Sequence, residues 1–297
     1  MTAPPPHAAP AGPDRELASG LDWDRFAPRL QAARTRVLFL DYDGTLAPFR
    51  EDWRHAQPYP GVRAALERIL RAGQTRVVIA TGRTVDSVRP LLGLAIAPEI
   101  WGVHGWERQH PDGRREDFDP GPLVREGIRR ALEPSREPWG AQWPGQWEAK
   151  PTSVAFHFRG LPEAEHGEFS ARVEPLWRTI AAQHGMHLHA FDFGMELRIP
   201  GRTKGTVVET VLAEAGSAES ESRAAGAGAQ APGTAAVFLG DDTTDEDAFR
   251  ALAARRDPGT LGVLVRQAWR PTAAQAWLRP PQDLLDLLER WHRIAGG

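Results

Sequence analysis

The sequence predicts an α/β fold: a doubly wound, Rossmann-like parallel sheet with an α+β unit inserted between its two halves. Three observations predict it. Four short apolar runs end abruptly in polar residues. Amphipathic helical patterns lie between those runs. A middle stretch, about 108 to 200, switches to an apolar/polar alternation of period two.

The runs come in order along the chain. Val37-Leu38-Phe39-Leu40 meets Asp41, and Val77-Val78-Ile79-Ala80 meets Thr81-Gly82-Arg83. Ala236-Val237-Phe238-Leu239 meets Gly240-Asp241-Asp242, and Leu261 to Val265 is the fourth. Runs this continuous suit strands buried on both faces, as in parallel sheets. Val62, Leu66, Ile69 and Leu70 share a helical face, with Pro60 before and Gly73 after as start and stop signals. Val207, Val208, Val211 and Leu212 repeat the pattern, as do Leu284, Leu285, Leu288 and Trp291. Strand and helix in alternation give a doubly wound core. Its ligands sit beyond the carboxyl ends of the strands, where Asp41, Thr81 and Asp241 all fall.

Inside the middle stretch, Val154, Phe156 and Phe158 alternate with Ser153, Ala155, His157 and Arg159, the mark of a sheet with one covered face. Phe169, Val173, Leu176 and Ile180 mark a helix, and His187 to Ile199 reads as two strands meeting near Gly194. The expected organisation is a disordered tail over 1–20, a core from 21–107 and 201–297, and a cap over 108–200. Residues 215–232, rich in Gly, Ala, Ser and Glu, are expected to form a mobile loop.

Composition narrows the function. The 297 residues carry a formal charge of −3, so bulk electrostatics do not point to nucleic acid, and an anionic substrate must be held by local groups. The absence of cysteine excludes disulfides, thiolate zinc sites and cysteine nucleophiles. No apolar run reaches the roughly 18 residues of a membrane span, and the N-terminus lacks a signal pattern. A cytoplasmic protein without membrane contact is expected. Of 36 basic residues only Lys150 and Lys204 are lysine. Lysine is a compact point charge and arginine a planar fork, so these two are candidates for work that needs an ammonium.

Asp41-Tyr42-Asp43-Gly44-Thr45-Leu46 is the first chemical motif. Two carboxylates beside a glycine also make an ordinary turn. Gly240-Asp241-Asp242-Thr243-Thr244-Asp245 shifts the balance, because it adds carboxylates after another buried strand. Magnesium takes hard oxygen ligands, often a few carboxylates plus phosphate and water. Asp41, Asp43 and Asp241 can supply them, with Asp245 holding a metal-bound water. A carboxylate can attack phosphorus, which fits Asp41. A second must protonate the leaving oxygen and then activate water, which fits Asp43. Thr81 offers donors to phosphoryl oxygens and Lys204 a positive charge at a helix start. Thr81-Gly82-Arg83 can equally be an N-cap.

These four segments, in this order, resemble the haloacid dehalogenase superfamily of phosphatases, and the insert resembles its larger cap type. Closer still, the chain resembles the trehalose-6-phosphate phosphatase family over roughly residues 35 to 290. The segments that carry this are Gly102-Val103-His104-Gly105, Glu148-Ala149-Lys150, Ser153 through Arg159, Gly194-Met195-Glu196-Leu197-Arg198, Lys204-Gly205 and Gly240 through Phe249. Ala149 stands where the family often has Asn, and Ile199-Pro200 departs from its usual Arg-Pro. The resemblance implies Mg2+-dependent hydrolysis of trehalose 6-phosphate through an aspartyl-phosphate, the final step of trehalose biosynthesis. It also implies functional pairing with a separate trehalose-6-phosphate synthase, since no glycosyltransferase region is read before the phosphatase. Glu148, Lys150, Arg159 and Glu196 would reach from the cap to sugar hydroxyls, with Gly82, Arg83, His104 and Gly105 as further substrate contacts.

Read from the residues alone, the cap carboxylates could equally be surface ion pairs. His104 could be a structural histidine bonding its own loop. Trp139, Trp143 and Trp147 recur every fourth residue, but Pro144 and Gly145 argue against a helix. Their expected role is packing between cap and core, with stacking on sugar faces as the alternative. Other readings stay open: a phosphatase for sucrose phosphate or mannosylglycerate phosphate, and a non-catalytic sugar-phosphate-binding regulatory module.

Overall fold

The computed structural model describes residues 20–50, 52–143, 145–191, 194–224 and 233–296. Helix α1 (Trp23–Ala32) leads into β1 (Thr35–Leu40). Then come α2 (Val62–Ala72), β2 (Arg76–Ala80), α3 (Val85–Leu92), β3 (Glu99–Gly102), β4 (Glu107–Gln109) and β5 (Arg115–Asp117). The inserted unit holds α4 (Pro122–Ala131), β6 (Trp147–Lys150), β7 (Ser153–His157), α5 (Glu163–His184), β8 (His187–Phe191) and β9 (Gly194–Arg198). The chain returns through α6 (Lys204–Ala224), β10 (Thr234–Gly240), α7 (Glu246–Ala254), β11 (Thr260–Val265), β12 (Ala276–Leu278) and α8 (Gln282–Ala295).

The larger sheet runs β12-β11-β10-β1-β2-β3-β4-β5, parallel from β12 to β3. Each continuous apolar run is explained by what covers its two faces. Leu38, Leu40, Ile79 and Leu239 pack under α2, α3 and α8 on one side. Val37, Phe39, Val78 and Phe238 pack under α6 and α7 on the other. Phe39 and Phe238 are register partners, and their rings stack with centroids 6.1 Å apart. Leu40 pairs with Leu239 on one flank and with Ile79 on the other. That double register brings three strand ends to one place.

At three places the structure goes beyond the sequence reading or departs from it. α1 forms although Pro28 lies inside it: Asp22 accepts from the Arg25 N–H at its start, and Phe26 packs against Trp291 of α8. β4 and β5 pair antiparallel beyond β3 and belong to the larger sheet, so by strand pairing the insert starts after Asp117 rather than at 108. β4 is hard to read because its buried residues are Glu107, Arg108 and Gln109. Arg108 is held by Glu99 and Glu214, and its guanidinium lies 4.5 Å over Trp101. The expected loop over 215–232 is helical through Ala224, since Ala and Glu there are strong helix formers. Residues 225–232 lie outside the described residues, as does most of the expected N-terminal tail. Gly20, its last residue, bridges to Trp277.

The smaller sheet, β6-β7-β9-β8, is antiparallel throughout. α4 and α5 cover one face, around Phe156, Phe169, Trp177 and Leu197. Trp143 and Trp147 pack edge-on against Phe156 and Phe169. The tryptophan cluster therefore belongs to the cap's own core, not to a seam between cap and core. Among the described residues, no helix is long and apolar enough to cross a membrane.

Phe156 has no exposed surface, and its ring stacks on Phe169 at 3.5 Å between centroids. Phe156→Ala is expected to cost about 3–5 kcal/mol in chemical denaturation, the transfer term plus the cavity. A loss below about 1 kcal/mol would contradict this account of the cap core.

Candidate active site

The crevice lies where β1, β2 and β10 end, between the larger sheet and the cap. Asp41 follows β1, and its N–H continues the ladder to the Leu239 carbonyl at 2.9 Å. Its Oδ1 accepts from Lys204 Nζ at 2.6 Å, and its Oδ2 lies 3.4 Å from the Thr45 hydroxyl. Lys204 opens α6 and spans to Asp245 Oδ1, also at 2.6 Å. The other Asp245 oxygen accepts the N–H groups of Asp241 and Asp242, at 3.0 and 2.9 Å. Asp245 is thus saturated, and it positions both Lys204 and the Asp241 backbone.

Asp41, Asp241 and Asp245 are buried and place carboxylate oxygens within 4.8 Å of one another. Burial pushes the Asp41 carboxyl up to about 7, against the pull of Lys204 and with Asp245 and Asp43 adding to it. Burial also raises Asp241 well above the carboxylate range, and Asp41 and Asp245 reinforce this. Burial works against the Lys204 ammonium, but Asp245 and Asp41 outweigh it and hold it above its ordinary range. Three carboxylates face one ammonium, and Asp241 Oδ1 is buried with no hydrogen-bond partner. This donor set fits a hard divalent cation, which would take the unpaired oxygen and balance the remaining charge. Gly44, at φ +83°, lets the first motif turn against this cluster, since a Cβ there would collide with the Asp241 carboxylate.

Asp43 stands apart from the cluster. Arg83 grips its carboxylate with both Nε and Nη2, at 2.6 and 2.7 Å. Its side chain is therefore not placed as a cation ligand, contrary to the sequence expectation, and Arg83 lines the crevice beside it. Thr81 is buried beside it, and its hydroxyl accepts the Arg83 N–H at 3.1 Å. Gly82 faces His104, whose ring leaves no room for a side chain there. Gly105 does not line the crevice. It packs against Val207, and its carbonyl accepts from Arg202.

The cap roofs this floor with a second charge cluster. Lys150 lies 3.4 Å from Glu148 and 3.0 Å from Glu196. Glu196 also accepts from Ser153 at 2.7 Å and sits 3.3 Å from His104 Nε2. Burial opposes the Lys150 charge, yet the two glutamates raise it to about 12. Glu196 is held well below the carboxylate range despite its burial, chiefly by Lys150 and His104. Arg159 crosses from cap to core, donating to the Arg50 carbonyl at 3.1 Å over the Phe49 ring. Phe49, Trp53, His157, His189, Phe191 and Arg198 also line the crevice and were not singled out as site residues from the sequence. His157 lies on the strand already read as alternating, and its polar, crevice-facing parity was the available cue.

Residues 39–278 match the family model described as trehalose-phosphatase. A trehalose-phosphate phosphatase of Mycobacterium avium is 31% identical over 265 residues, covering 87% of this chain and 62% of that protein. Its Mycobacterium tuberculosis counterpart is 30% identical over 271 residues, covering 88% and 62%. The chain thus spans about three fifths of the length of these relatives. The fold matches the C-terminal domain of Candida albicans trehalose-6-phosphate phosphatase at TM-score 0.74 and 20% identity, covering 96% of this chain and 99% of that one. It also matches the C-terminal domain of a Candida albicans trehalose synthase regulatory protein at TM-score 0.69 and 13% identity, covering 92% and 99%.

His104 provides a test of the site's electrostatics. Burial, with Arg198 and Lys150 facing it, lowers its pKa from 6.5 to about 4, against the pull of Glu196. Between those values the unfolded chain binds a proton that the folded chain refuses. Stability is therefore full above pH 6.5 and falls as pH drops toward 4, by up to about 3 kcal/mol. His104→Asn, which tolerates the φ of +54°, is expected to flatten that part of the profile. Urea midpoints at pH 7.5 and 4.5 check it, and equal losses in both proteins would refute the assignment.

Proposed function

We propose, from the premise that the chain belongs to the trehalose-phosphatase family, that it hydrolyses trehalose 6-phosphate to trehalose and phosphate. The observation that carries this reading is the convergence of Asp41, Thr81, Lys204 and Asp241 on one crevice beneath Glu148, Lys150 and Glu196. The floor has the parts for phosphoryl transfer, and the roof has those for polyol recognition.

In the proposed reaction Asp41 attacks phosphorus, and the bond from phosphorus to the sugar oxygen breaks. Asp43 protonates the departing alkoxide, then takes a proton from the water that cleaves the aspartyl-phosphate. The Arg83 grip on Asp43 must loosen for this, since a doubly bonded carboxylate is a poor acid. Lys204 steadies Asp41 and offers its charge to the phosphoryl group, with Thr81 as a further donor. The resident cation is proposed to be Mg2+, held by Asp41 and Asp241, with Asp245 behind them. When bound it would reduce repulsion between the attacking carboxylate and the phosphoryl oxygens.

Glu148, Lys150, Arg159 and Glu196 are proposed to bind sugar hydroxyls, with Gly82, Arg83 and His104 lining the approach. Carboxylates and ammonium groups can each serve more than one hydroxyl, and a sugar that leaves them unpaired is penalised. A separate synthase is the proposed source of substrate. The fold shared with a protein named as regulatory keeps a non-catalytic reading in view. Against it stand the buried nucleophile candidate and the unpaired Asp241 oxygen, which a pure binding module has no reason to keep.

Asp41→Asn is expected to lower phosphate release from trehalose 6-phosphate by roughly 10^4-fold or more, as for loss of a nucleophile, with the fold retained by circular dichroism. Near-normal release from that variant would end the proposed mechanism. Excess chelator is expected to stop turnover and added Mg2+ to restore it, whereas full activity in chelator would exclude the cation. A substrate panel including sucrose and mannosylglycerate phosphates checks the sugar, and preference for another ester would overturn the assignment.

A further inference from the structure

Trp53 has no part in the chemistry described so far. It heads a 3-10 turn, Trp53–His55, whose start Asp52 caps by accepting the Arg54 N–H at 3.1 Å. Its carbonyl accepts from Arg83 Nη2 at 2.6 Å, and the Arg83 guanidinium lies 5.3 Å from its ring centre. The ring stacks on cap His157, with centroids 5.7 Å apart and an angle of 26°. Trp53 thus touches both the group that grips Asp43 and the underside of the cap.

Its indole Nε1 is sealed from solvent and has no hydrogen-bond partner, although the residue lines the crevice. Nη1 of Arg83, whose guanidinium lies 5.3 Å from that ring's centre, is buried and unpaired as well. Other indoles in the protein find acceptors: Trp101 on Glu99, Trp147 on the Gly140 carbonyl, Trp177 on the Ala131 carbonyl and Trp291 on Thr75. Trp269 Nε1 is also unpaired, but that residue does not line the crevice. A buried donor without a partner costs about 1–3 kcal/mol. Two of them, on touching residues that line one crevice, call for an acceptor that arrives from outside.

We propose that Trp53 is a specificity-determining residue whose indole N–H donates to a hydroxyl oxygen of the bound sugar phosphate. This rests on the reading of the crevice as a sugar-phosphate site. The hydroxyl is assigned rather than the phosphate because of where Trp53 stands. Arg83 lies between it and Asp43, and its ring lies against His157, which bonds Glu148 in the cap at 2.9 Å. The phosphoryl group belongs on the floor, against Asp41, Thr81 and Lys204, none of which Trp53 is bonded to. The stack on His157 also ties this contact to the cap, so the donor is paired only when cap, sugar and core meet.

Trp53→Phe separates the N–H from the ring, since phenylalanine can keep the stack on His157. The test compares kcat/KM of wild type and variant on trehalose 6-phosphate and on p-nitrophenyl phosphate, which has no sugar hydroxyl. The expected result is a loss of roughly tenfold on the sugar phosphate, mostly in KM, and a change within about twofold on the aryl phosphate. No loss on either substrate overturns the proposal. Equal loss on both also overturns it, since that reports a phosphate contact or a structural role. Trp53→His, which restores a ring N–H donor, is expected to recover part of the sugar-specific loss, and no recovery counts against the hydrogen bond. If wild type ignores trehalose 6-phosphate, the proposed function fails first. The same comparison on whichever sugar phosphate it does hydrolyse then tests Trp53 separately.

Discussion

One buried ammonium holds the crevice floor together. Lys204 Nζ stands 2.6 Å from both Asp41 and Asp245, joining the end of β1, the start of α6 and the loop after β10. Three carboxylates crowded into so small a volume repel one another, and burial makes each charge more costly. The ammonium offsets part of that cost and leaves the rest as a demand for a second cation. Its placement depends on the sheet. The pairing of Leu40 with Leu239 and with Ile79 fixes where the three strands end. The apolar layers on both faces of the sheet fix that register in turn.

The cap repeats the device. Lys150 sits between Glu148 and Glu196 much as Lys204 sits between Asp41 and Asp245. The two lysines of an arginine-rich chain are thus both used as buried point charges between paired carboxylates. A planar guanidinium needs more room and a fixed approach, as Arg83 shows where it clasps Asp43 edge-on. Floor and seam each keep polar atoms ready for a guest: Asp241 Oδ1 below, Trp53 Nε1 and Arg83 Nη1 where the core meets the cap.

Much of this was legible in the sequence. The apolar runs gave the central strands, because burial on both faces leaves a continuous signature. The spacing of Asp41, Thr81, Lys204 and Asp241 gave the floor, because each follows a strand or opens a helix. β4 escaped because a strand buried through Arg108, Glu99 and Glu214 looks polar until its partners are known. The Arg83–Asp43 pair and the Trp53–His157 stack escaped for a related reason. They join residues 40 and 104 positions apart, and neither residue type carries a local pattern that names its partner. Gly105 was misplaced because adjacency to His104 says nothing about direction: its neighbour faces Glu196, while it packs on Val207.

The central claim is that Asp41 carries the phosphoryl group between the two half-reactions. Acid quench during steady turnover, followed by borohydride reduction and peptide mapping, tests it most directly, because reduction converts an aspartyl-phosphate to a homoserine. The account predicts homoserine at position 41, dependent on substrate, with Asp43 unmodified. Turnover with no label at Asp41, or with the label on another carboxylate, would contradict it.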